Sequence, residues 1–170
     1  TNIKLGSLST SNLNMIAESI LMNNNTLASP KEVENMMRFY LDVAKAAAKN
    51  GDFETASTID ASLSQAHFSR IINNKEFFSS KKKHNKIQQD FNELQTSMAL
   101  GRSSDKASRE NYKEAHNNYQ KMGGLPPTMP VQILLKDNTF SVEGNPDFNE
   151  TSVNSHKFFL TQTNLNKMET

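Results

Sequence analysis

Cysteine and tryptophan are both absent from this chain of 170 residues. Without cysteine there is no disulfide, no thiol nucleophile and no thiolate metal site, which fits a reducing compartment. Excess charge of either sign is missing too, since the formal net charge is +1. A balance so close to neutral gives no general attraction to nucleic acid or to an anionic membrane surface. No apolar run approaches the roughly 20 residues that span a bilayer, so membrane insertion is not expected. No stretch reads as a secretory leader. Several enzyme motifs are missing as well: no G-x-G-x-x-G, phosphate-binding P-loop or G-x-S-x-G occurs. The 4 histidines, His67, His84, His116 and His156, are scattered and lack a spacing such as H-E-x-x-H. No metal site and no cofactor is expected.

What is present is amphipathic helix. The length suits one domain with a sizeable core, and no internal repeat or domain boundary is visible. Leu13, Ile16, Ala17, Ile20 and Leu21 follow a helical spacing. Ser9-Thr10-Ser11 before them is N-cap material, and Asn23-Asn24-Asn25 ends the segment. In the next segment Ser29, Pro30 and Glu32 form a capping box with proline at the first helical position. Val33, Met36, Met37, Tyr40, Leu41, Ala44 and Ala48 then share one face, and Asn50-Gly51 stops the helix. Asp52 starts another helix with Phe53, Ala56, Ile59 and Leu63 inward. The basic run Ser80 to His84 opens a helix with Ile87, Phe91, Leu94 and Met98 on its inner face, and the lysines themselves read as solvated. A polar helix over about 105–122 ends at Gly123-Gly124.

Pro126, Pro127 and Pro130 make a rigid connector. After it, Val131, Ile133 and Leu135 alternate as in a strand, yet 131–140 also suits a buried helix. A lone strand among helices would have no partner, so a helix is expected. Gly144-Asn145-Pro146-Asp147 is a turn, and 154–167 is a weaker helix with Phe158, Phe159, Leu160 and Leu165. Phe140 reads as core.

The run Leu135 to Asp147, with Asp137, Thr139, Phe140 and Glu143-Gly144-Asn145-Pro146-Asp147, resembles the catalytic signature Y-L-T-D-L-T-F-x-E-E-G-N-P-D of Ras guanine-nucleotide exchange factors, the RasGEF domain. Upstream segments are similar to the same family in the same order. Phe39 to Ala48 resembles its f-I-x-I-A-x-x-c helix. Asn50-Gly51-Asp52-Phe53-Glu54-Thr55 is similar to its L-N-N-F-N-S/T turn. Ile59 to Leu63 with Ser69-Arg70-Ile71, then Phe91-Asn92-Glu93-Leu94, then Asn111-Tyr112-Lys113-Glu114-Ala115 resemble further family patterns. The family's opening d-P-x-x-l-A-x-Q-l-T segment is not found, and the hairpin's second helix looks short. The resemblance thus describes residues 1–170 as a single, trimmed RasGEF-like domain.

It implies an all-α, multi-helix orthogonal bundle with a helical hairpin over about 131–165. It also implies GDP–GTP exchange on a small Ras-family GTPase, met GDP-bound or nucleotide-free, by a monomer without nucleic acid. In that family a hairpin glutamate, matching Glu143, competes for the groups that hold the nucleotide, and the position matching Thr139 crowds the metal site. Contacts to the GTPase are implied for Asp52, Arg109, Lys136, Asn138 and Lys157. Gly144, Asn145 and Pro146 would shape the hairpin turn. Asp52 is explained equally well as a helix cap, and Lys157 as surface charge or as a contact to an acidic switch region. Abundant Asn, Lys and Ser suggest an AT-rich genome. Together with the trimmed signature this suggests a bacterial effector acting in a host-cell cytoplasm.

Two other readings stay open. Lys136, Asn138 and Val142 replace Thr, Leu and Glu of the signature, and Arg109 stands where an aromatic is usual. These changes suit a module that binds a GTPase without exchange. A structural helical domain with a coincidental signature is the third reading.

Overall fold

The computed structural model describes the backbone of residues 2–98, 105–124, 126–143, 146–149 and 152–169. Within these, the side chains of 2–10, 97–98, 105–109, 111, 148–149, 152, 164–165 and 167–169 are left aside. The elements run α1 (Asn2–Leu21), α2 (Pro30–Lys49), α3 (Phe53–Leu63), α4 (Ala66–Asn73), α5 (Lys81–Met98), α6 (Asp105–Met122), α7 (Val131–Glu143) and α8 (Ser155–Glu169). Two short antiparallel hairpins, β1 (Met22–Asn23) with β2 (Thr26–Leu27) and β3 (Phe148–Asn149) with β4 (Ser152–Val153), join helices. The domain is all-α, as the resemblance implied, and 131–143 is helix and not strand.

Helices α1, α2, α3 and α5 form the body. Their apolar stripes meet in one cluster that includes Ile20, Met37, Leu41, Ile59, Leu63, Ile87 and Phe91, with Phe68 of α4 closing one end. These are the positions that the helical spacing selects in α2, α3 and α5. Helix α6 leans on α5, and α7, paired with α8, rests on α1.

The helix ends follow local chemistry. Ser29 accepts from the amide of Glu32, whose carboxylate returns to the amide of Ser29 at 2.7 Å. Such a box satisfies amides that a helix start otherwise leaves unpaired. Asn50 and Gly51 end α2, with Gly51 at φ +80°. Ser9-Thr10-Ser11 does not cap α1, which already runs from Asn2. These residues favour a helix start but are tolerated inside a helix, so the preference permits a cap without compelling one. The asparagine run after α1 does more than end it. Asn24 and Asn25 both take positive φ, 47° and 64°, the geometry of a tight two-residue turn that pairs Met22 with Leu27.

Buried polar side chains fasten the body. Glu34 lies inside α2; its Oε2 accepts from Ser79 N and Oγ, and its Oε1 meets Lys83 Nζ at 2.8 Å. Burial alone would push its carboxyl up, but the bonds from Lys83 and Ser79 outweigh it and hold it below the ordinary value. His84 is buried against Phe78, and its Nε2 lies 2.8 Å from the carbonyl of Ile72 near the end of α4. Nε2 therefore carries the hydrogen, and this histidine is a structural strut.

The junction between α2 and α3 also holds the proline connector. Phe53 N donates to Thr128 O, Thr128 N to Gly51 O at 2.9 Å, and Thr128 Oγ1 to Asp52 Oδ1 at 2.9 Å. A Cβ on Gly51 would stand 3.1 Å from Pro127 Cβ. The left-handed backbone and this close approach both require glycine.

Two outcomes follow from the packing. Gly51→Ala is expected to lower folding free energy by at least about 1 kcal/mol in urea titration, and an unchanged midpoint would refute the close-approach argument. Asp60 is 6 % exposed, and burial, opposed only by a 3.4 Å bond from Ser64, pushes its carboxyl up from 3.8 to about 6. A raised value means that this group's stabilising contribution is full below 3.8 and is lost as pH rises through about 6. Asp60→Asn should therefore stabilise the fold by up to about 3 kcal/mol near pH 8 and change little in the acid range, as read from thermal melts across pH.

Candidate functional site

Helix α7 leaves the connector with Pro130 just before its first turn, and the Pro130 carbonyl accepts from Ile133 and Leu134. Ile133, Leu134, Asn138 and Ser141 face inward. The opposite face is a row one turn apart: Gln132, Lys136, Thr139 and Glu143, all exposed. Phe140 adjoins this row and is 60 % exposed, so it is not the core residue that its type suggested. The stripe that α7 buries is centred on Leu134, Asn138 and Ser141, with Ile133 and Phe140 at its margin. The Lys136 ammonium lies 5.9 Å from the centre of the Phe140 ring. This is a weak attraction that holds both side chains on the outer surface.

The other half of the hairpin is closed by polar bonds. Asn154 donates its side-chain amide to Pro146 O at 3.0 Å and its backbone N–H to Asp147 O at 2.8 Å. Its Oδ1 accepts from Lys157 N, capping α8. Lys157 is 8 % exposed, and its Nζ meets Asp147 Oδ1 at 2.6 Å. It is therefore not a solvated surface charge. It ties the first turn of α8 to the turn that follows α7. Pro146 is exposed beside it, while Gly144 and Asn145 lie outside the described residues.

At the other end of α7, Glu54 Oε2 accepts the N–H of Val131 at 2.6 Å, and its Oε1 receives Thr58 Oγ1 at 3.4 Å. Burial pushes the Glu54 carboxyl up, against the lowering by Val131 and Thr58. Asp52 caps α3 by accepting from Thr55 N at 3.1 Å. Burial opposes, but the bonds from Thr55 and Thr128 hold its carboxyl below the ordinary value.

The structure thus brings Lys136, Thr139 and Glu143 together on one open face. It puts Asp52 at the base of the hairpin, a helix length of about 18 Å from the Glu143 end. Asn138 is buried beneath that face, its Oδ1 without a hydrogen-bond partner among the described residues. Arg109 is on α6, and its side chain lies outside the described residues. Sequence reading passed over Glu54, whose signal was an acidic residue in the first turn of the helix that Asp52 caps. It also passed over the exposure of Phe140. Among the described residues, no group of three or more His, Asp or Glu side chains is placed to hold a metal ion. No described helix is long and apolar enough to cross a membrane.

No curated protein and no solved structure matches this chain. The family model of the RasGEF domain does, over residues 2–159, from the first body helix into α8 of the hairpin. That match brings with it the family's general role, action on a GTPase of the Ras family. With body, connector and α7 inside the matched span and α8 entered, the chain belongs to the RasGEF domain family.

Proposed function

We propose that this domain promotes GDP release from a small Ras-family GTPase by bringing the α7–α8 hairpin to the nucleotide and Mg²⁺ site. The observation that carries this reading is the open row of Lys136, Thr139 and Glu143 along α7, anchored below by buried contacts. A GTPase grips its nucleotide through backbone amides, a P-loop lysine and Mg²⁺. A factor that speeds release must bind the open state better than the closed one. The Glu143 carboxylate competes for the lysine and amides that held the phosphates. Thr139, one turn earlier on the same face, crowds the metal. No covalent step is involved. Phe140 and Lys136 flank the pair and offer an apolar ring and a positive charge to the GTPase surface. On this reading the domain acts as a monomer in the cytoplasm, where such GTPases meet their nucleotide pool.

A second reading has its own observation. Val142 is 46 % exposed where the family signature carries a second glutamate. Loss of that carboxylate suits a module that binds a GTPase and leaves its nucleotide in place.

Release of fluorescent GDP from Ras-, Rap-, Ral- and Rho-type GTPases separates the two. Acceleration on one of them is expected, with Glu143→Ala reducing it about 10- to 100-fold, the worth of a lost charge-assisted hydrogen bond. Glu143 is exposed, so the variant's melting curve should match the parent's. Full activity in Glu143→Ala would remove this residue from the mechanism. Binding without acceleration would establish the second reading.

A further inference from the structure

Glu54 stands where two helices begin. It lies in the first turn of α3, and its carboxylate takes the first amide of α7, 77 residues along the chain, at 2.6 Å. The positive ends of both helices favour a carboxylate at this spot. The neighbouring bonds between Thr128 and Gly51, Asp52 and Phe53 hold the connector in place. They stop short of the helix, whereas the bond from Val131 to Glu54 ties the first residue of α7 to α3. A helix is stiff, and a small rotation at its base is magnified along its length. A tilt of about 5° at Val131 moves the Glu143 end by about 1.5 Å over a helix of about 18 Å.

We infer that Glu54 is a positioning residue for exchange: its carboxylate fixes the angle at which α7 presents Thr139 and Glu143. The inference rests on the exchange reading above. Glu54 touches neither nucleotide nor GTPase in this role and acts only through the helix. A displacement of the order of 1 Å in a reacting group can cost up to about a hundredfold in rate, so the angle matters. A simple structural cap differs in its effect. Losing one lowers stability but leaves each folded molecule fully active.

The test uses the intact chain with Glu54→Ala and Glu54→Gln. Glutamine keeps an acceptor oxygen at the same reach, and alanine removes it. Amide hydrogen exchange, read without any GTPase, should show Val131 exchanging about tenfold faster in Glu54→Ala, while amides in the middle of α2 and α5 keep their protection. On the responding GTPase, the maximal rate of GDP release should fall about tenfold with the half-saturating concentration little changed, and Glu54→Gln should recover most of both losses. Unchanged protection at Val131 would overturn the inference. So would lost protection with an unchanged maximal rate. A parent chain that accelerates release from no GTPase would overturn the exchange reading, and positioning for exchange with it. The Val131 protection in Glu54→Ala would then still establish or refute the clamp itself.

Discussion

The hairpin depends on a small knot of main chain, Gly51 to Glu54 against Thr128 to Val131. Residues far apart in the chain are joined there by backbone pairing at Thr128, by the Asp52–Thr128 bond and by the Glu54–Val131 bond. Glycine makes the knot possible, because a side chain on Gly51 would meet Pro127. The prolines on the other strand remove competing conformations from the connector. Body and hairpin are each ordinary packed helices. Their relation to each other is decided at this junction and along the side where α7 rests on α1.

Buried carboxylates recur in this fold, and their partners decide their state. Asp90, on α5, pairs with Lys45, and with Lys86 at 2.8 Å, and these cations outweigh burial to hold its carboxyl below the ordinary value. Glu34 is held the same way by Lys83 and Ser79. Asp60 has only a long bond from Ser64, and Glu54 has an amide and a weak hydroxyl contact, so burial wins at both. The distinction is physical. At Asp90 and Glu34 a full charge nearby returns more of the lost hydration than the neutral donors at Asp60 and Glu54 do.

Much of the body was legible because helical spacing and burial agree. Val33, Met37, Leu41 and Ala44 in α2, and Phe53, Ala56, Ile59 and Leu63 in α3, are inward as the period predicts. The capping box at Ser29 and the stop at Gly51 were equally readable, since each depends on neighbours in the chain. Phe140 and Lys157 were misread for the opposite reason. An aromatic on a short two-sided helix can face either way, and a lysine shows no sign in sequence that an aspartate ten residues earlier will enclose it. Glu54 shares that difficulty, because its partner Val131 lies 77 residues along the chain. The two hairpins were passed over because strands of two residues carry no periodicity. The signature falls on α7, whose exposed row contains both residues matched to the family's reacting positions.

The span of the Glu54–Val131 bond bears on the order of events as the chain folds. Contacts of α2 with its chain neighbours α1 and α3 join segments close in sequence, whereas Ser62 of α3 reaches Leu13 of α1 across 49 residues. The knot closes a loop of 77 residues. Loop closure of that size costs more entropy than a local turn, so the packing of α3 on its neighbour α2 is expected to precede the knot. The acceptor for α7 is then already in place when the hairpin docks. A mutation confined to the knot should leave early collapse intact and slow only the last phase, in which the hairpin docks on a folded body.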